Sequence, residues 1–169
     1  MTANVTSKLA GSITALLVFT AALACAELAQ AENDRLIVPW QRIGPVALGM
    51  AVGDVVRLLG EPTQKNRGPY VTVYTWKDNL SVTAETDNAY VTQICALSPD
   101  YATARGLRPG MSDASVNALM GEPQNSHVYH GWWKLSYIKL FWGGLMVSVP
   151  LTGFANDHSV QSVCVNHNA

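Results

Sequence analysis

Four histidines, two late cysteines, a repeated glutamate and a cluster of tryptophans are the side chains that could do chemistry. His127 and His130 are spaced like half a metal site. Strand residues three apart point to opposite faces, however, and no carboxylate or cysteine stands close enough in sequence to complete a ligand set. We read both as solvated and assign no metal. Glu61 and Glu122 would suit acid–base work as a pair. Each sits in the same phrase, Gly-Glu-Pro, which makes it part of a recurring turn instead. No Gly-x-Ser-x-Gly elbow, phosphate-cradling loop or His-Glu-x-x-His helix occurs. The sequence therefore indicates no catalytic residue, no cofactor and no enzyme.

Cys95 and Cys164 stand in matching places of two similar stretches. They form a disulfide if their strands lie side by side; otherwise they pack as two buried thiols. The aromatics suggest binding. Trp132 and Trp133 are adjacent, so on a strand they face opposite ways and one must leave the core. Phe141-Trp142-Gly143-Gly144 reads as an exposed turn with large rings at its tip. Trp132, Trp142, Phe141 and Tyr129 are accordingly the candidate partner-binding residues, since exposed Trp and Tyr anchor protein interfaces.

The elements that must hold these residues are announced by a doubled phrase. Laid with Gly49 over Gly110, two stretches agree at Met50/Met111, Val55/Val116, Leu58/Leu119, Gly60/Gly121, Glu61/Glu122 and Pro62/Pro123. The apolar positions recur near helical spacing. Ser112 or Asp113 can cap the second helix. Gly60 and Gly121 suit a helix end, and the prolines prevent continuation. After each helix the period changes to alternation. Strands are predicted over 70–76, 80–85 and 90–97, and again in "WWKLSYIKL", "LMVSV" and "VQSVCV". The expected fold is α+β: two tandem repeats, each a short helical segment followed by a three-stranded antiparallel meander, with the helices packed on one side of the sheet.

The start of the chain is different. Lys8 precedes an apolar run from Ile13 to Ala26, and Ala29-Gln30-Ala31 suits signal peptidase. The run is short for a membrane span, so residues 1–31 read as a signal peptide. Lipidation at Cys25 is the variant reading. Residues 32–42 then form an N-terminal extension, 43–97 the first repeat unit, 98–102 a linker, 103–166 the second unit and 167–169 a tail. No later segment is apolar enough to span a membrane. The formal charge is −1, from 11 basic and 12 acidic residues. That balance argues against a nucleic-acid partner, which demands clustered Lys and Arg.

Gly-Met-x-x-x-x-Val-x-x-Leu-x-Gly-x-Pro, followed by an aromatic strand and a hairpin, resembles the SmpA/OmlA (BamE-like) domain of outer-membrane assembly lipoproteins. Two such units in tandem resemble the β-lactamase-inhibitor-protein architecture. The resemblance covers residues 43–97 and 103–166. It implies non-catalytic work in the periplasm or outside the cell: a protein-binding or scaffold module of the cell envelope. A secreted inhibitor of a hydrolase is the alternative, and a small-ligand or glycan binder a second. The inhibitor proteins carry disulfides within each unit, whereas here each unit holds one cysteine.

Overall fold

The computed structural model describes residues 34–130, 136–150 and 159–166. Among these residues, eight strands form a single antiparallel sheet. They are β4 (Gln64–Arg67), β5 (Val71–Thr75), β6 (Leu80–Glu85), β7 (Val91–Ala96), β9 (Asn125–His130), β10 (Ser136–Trp142), β11 (Leu145–Pro150) and β12 (Ser162–Asn166). Their spatial order is β4-β5-β6-β7-β12-β11-β10-β9. The last strand of each half therefore lies at the centre, β7 against β12.

This architecture corrects the expected class. The described chain is mostly β, with twelve strands in two sheets and only two helices, α1 (Val52–Leu59) and α2 (Asp113–Met120), of 8 residues each. The fold is not a pair of helix-plus-three-strand units: each half gives four strands to the large sheet. The unforeseen strands are β4 and β9, which lie at the sheet's two edges. Gln64, Lys65, Asn66 and Arg67 are all exposed, so β4 is held by its backbone ladder to β5 and carries no apolar alternation to read.

A second sheet was also unforeseen. Strands β1 (Leu36–Val38), β2 (Arg42–Ile43), β3 (Val46–Ala47) and β8 (Ala102–Thr103) associate in the order β3-β2-β1-β8. Within it β1 runs parallel to β8, pairing Leu36 with Ala102 and Ile37 with Thr103. Pieces of two or three residues give too few alternations for a period to show. Ile37, Ile43 and Val46 are buried from this sheet, and β2 and β3 pack on the central strand β7.

The helices are short because the chain stops them. Gly60 and Gly121 follow at φ 78° and 76°, where a side chain would be strained. Ser112 caps α2 by accepting from the Ser115 amide at 3.2 Å, whereas Ala51 gives α1 no such bond. Val52, Val55 and Val116 enter the core, but Leu58, expected on the apolar stripe, is 55% exposed. The two Gly-Met segments dock alike: Gly49 donates to Val91 and receives a bond back at Met50, and Gly110 and Met111 do the same with Val160.

One face of the large sheet meets these elements. Trp76, Leu80, Val82, Ile94, Val147, Val163 and Val165 join the helix and small-sheet residues in one buried cluster. Two indoles fasten it. Trp76 Nε1 donates to the Gly60 carbonyl at 2.8 Å, and Trp142 Nε1 donates to the Gly121 carbonyl at 3.3 Å. Each bond satisfies a carbonyl that a helix end leaves unpaired.

Candidate binding face

Among the described residues, α1, α2 and the small sheet all lie on one face of the eight-stranded sheet, and the other face carries none of them. Its residues follow from the register. Gln64 faces Thr75, Thr75 faces Ser81, and Ser81 faces Cys95. Cys95 faces Cys164, Cys164 faces Met146, Met146 faces Phe141, and Phe141 faces Asn125. One row of side chains thus crosses all eight strands, with four residues on either side of its midpoint. None of the eight is charged. The adjoining row on one side, Asn66, Val73, Thr83, Gln93 and Asn166, is uncharged as well. The row on the other side, Ser162, Ser148, Lys139 and His127, carries one charge at Lys139.

The midpoint of the first row is a disulfide between Cys95 and Cys164. Their strands are neighbours and the two residues are directly opposed, with their Cα atoms 4.0 Å apart. Cys164 and Met146 are buried within this face, while Thr75, Ser81, Cys95 and Phe141 are half-buried. His127, also on β9, sets its ring edge-on to Phe141 at 5.8 Å between centroids. The arrangement is a broad surface of hydroxyls, amides and a few apolar groups. It offers hydrogen bonds and contact area. No group of three or more His, Cys, Asp and Glu side chains gathers among the described residues.

The residues singled out from the sequence fall in different places. Phe141 belongs to the open face. Trp142 does not: it is the last residue of β10, only 7% exposed, and its ring serves the core. The turn is Gly143-Gly144 alone, so the expected aromatic tip does not exist. Alternation explains the error, because consecutive strand residues face opposite ways, and Trp142 occupies the place that Trp76 holds in the first half. Tyr129 lies on β9, opposite Tyr137 in register. Trp132 lies outside the described residues. The polar residues of the face, from Thr75 to Gln93, were missed. Their signal was present as the second set of positions in each alternating strand.

Among the described residues one ionisable group is strongly perturbed, and it lies away from this face. Tyr101 is 2% exposed, and its hydroxyl donates to Asp78 Oδ2 at 2.7 Å. Burial pushes its pKa well above the usual tyrosine value, and the Asp78 carboxylate adds to the effect. Arg35 lies over its ring at 4.9 Å. This assembly ties the β5–β6 turn to the segment before β8.

No protein-family model matches the chain, and no curated protein matches it. Among solved structures it is similar to a DUF4309 family protein from Bacillus subtilis. The two are 14% identical, with a TM-score of 0.52, over 82% of this chain and 90% of that one. A cysteine-rich secretory protein from Staphylococcus aureus aligns at 12% identity and TM-score 0.47, over 82% of this chain and 49% of its own. An extracellular SCP-domain protein from Bacillus anthracis aligns at 10% and 0.44, over 72% and 44%. The chain spans less than half the length of these last two. At such identities the first likeness concerns the fold alone. No helix among the described residues is long and apolar enough to cross a membrane.

Proposed function

We propose that the protein is an exported, non-catalytic binding module that holds another protein on the open face of its large sheet. The observation that carries this reading is the uncharged row across all eight strands. Interface centres are depleted of charge, because each buried charge must be desolvated. A solvent-facing sheet surface with no binding duty has every reason to carry Lys and Glu for solubility. Here those residues are absent from the full eight-residue row and from the five-residue row beside it, and stand outside them, as Lys139 and Glu85. Export is supported by the signal-like start of the chain and by the Cys95–Cys164 bond, since disulfides persist in oxidising compartments.

The test is co-purification from the cell envelope of the native host, with Ser81→Arg and Gln93→Arg introduced on the face. Both side chains are half-buried and point away from the core. The wild-type chain should retain one partner stoichiometrically, and the double variant should lose it while keeping its near-UV circular dichroism. Equal retention by both would end the proposal. An inhibitor of a secreted hydrolase would use the same face, and the identity of the captured protein separates the two.

A further inference from the structure

The second feature is a cleft of about 350 Å³ on the helix-bearing side of the large sheet. Four elements build it. Pro39 comes from the turn after β1, Ala104 and Arg105 from the end of β8, Met120 from the end of α2, and Trp142 and Leu145 from the β10–β11 hairpin. The walls are apolar apart from Thr103. Among the described residues the one charged group is the Arg105 guanidinium. Its Nη2 donates to the Leu119 carbonyl, which fixes it at the C-terminal end of α2. No carboxylate pairs with it among the described residues, and a guanidinium has five N–H donors, arranged to meet a carboxylate.

The cleft has a structural cause. In the first half of the sheet, Trp76 is followed by Lys77-Asp78-Asn79, and the buried Tyr101 binds Asp78. In the second half Trp142 is followed by two glycines, so no side chain occupies the turn. Gly143 lines the cleft. Gly144 receives the Trp40 ring, which lies so close that a Cβ there would overlap it. Trp40 itself has φ 62°, a left-handed conformation that a bulky residue adopts only at a cost. The turn carrying Pro39 is thereby clamped beside an opening that nothing in the hairpin fills.

We propose that this cleft binds a small apolar monocarboxylic acid. Its ring or short chain rests against Trp142, Met120 and Leu145, and its carboxylate meets the remaining Arg105 donors. The volume lies at the small end of ligand pockets, which fits a one- or two-ring body. This site is separate from the sheet face and does not depend on it.

The experiment is titration of the purified protein with phenylacetate, 1-naphthaleneacetate and octanoate, read by calorimetry and by the indole N–H resonances of Trp40 and Trp142. At least one acid should saturate and move both resonances, and its neutral amide should bind at least tenfold more weakly. Arg105→Gln should weaken the acid about tenfold while leaving the amide unchanged, the effect of one lost charge-assisted contact. Ala104→Phe, at an exposed position, should block the mouth and abolish binding without altering thermal unfolding. If no acid saturates below about 1 mM, or if Arg105→Gln binds the acid as well as the parent chain does, the proposal fails. Resonance shifts confined to the open sheet face would also overturn it.

Discussion

Replacing Gly144 by alanine separates two effects that share one position. The backbone there has φ 81°, and placing an L-residue in left-handed space costs roughly 1–2 kcal/mol. The new methyl also runs into Trp40. That side chain is 46% exposed, so about half of it is covered. For a tryptophan this amounts to roughly 100 Å² of apolar contact, worth about 2.5 kcal/mol if the ring were fully expelled. A ring that slides rather than leaves would forfeit about half of that. The sum is about 2–4 kcal/mol, or a fall in Tm of roughly 6–12 °C for a chain of this size. A double-mutant cycle in urea, with Trp40→Ala as the second change, divides the total. Gly144→Ala should cost only its backbone share in the Trp40→Ala background, leaving a coupling of about 1–2 kcal/mol. Additive losses, with no change in tryptophan emission on Gly144→Ala, would mean that Trp40 does not rest on that turn.

Other perturbations follow from the same geometry. Removing the disulfide by Cys95→Ser with Cys164→Ser frees a loop whose ends are 69 residues apart. Loop-closure entropy puts the loss near 4 kcal/mol, to be read as a lower denaturation midpoint; an unchanged midpoint would deny the bond a stabilising role. Ionisation of Tyr101 is disfavoured in the folded chain, where its pKa is raised above 10.0. Its contribution is therefore complete below about pH 10 and declines as the pH climbs above that value. Tyr101→Phe should flatten alkaline unfolding monitored by circular dichroism. Ser112→Ala should cost about 1 kcal/mol through the lost cap, whereas Ala51→Ser should gain stability if the new hydroxyl reaches its amide.

The strands with strong alternation were legible. Leu80–Glu85 was placed to the residue, and 70–76 and 90–97 differ from the structure by one residue at each end. What could not be read is what lacks an apolar period. Strand β4 is entirely polar, and the strands of the small sheet are two or three residues long. These account for the mistaken class, because they add strands without adding a pattern. The doubled phrase revealed where the helices stop. At the binding face, the rings are the conspicuous signal, while the hydroxyl and amide positions of the same strands carry none that composition reveals. Phe141 and Trp142 are neighbours in sequence and lie on opposite sides of the sheet, a separation that the turn assignment concealed.

The bond between β7 and β12 also determines how the molecule carries load. Tension applied at the two ends of the chain reaches Cys95 and Cys164 and passes directly between them, bypassing everything in between. The second helix and three strands of the second half are mechanically silent while the link is intact. Under stretching, the 69-residue interval withholds on the order of 230 Å of extension, which a reductant alone would release.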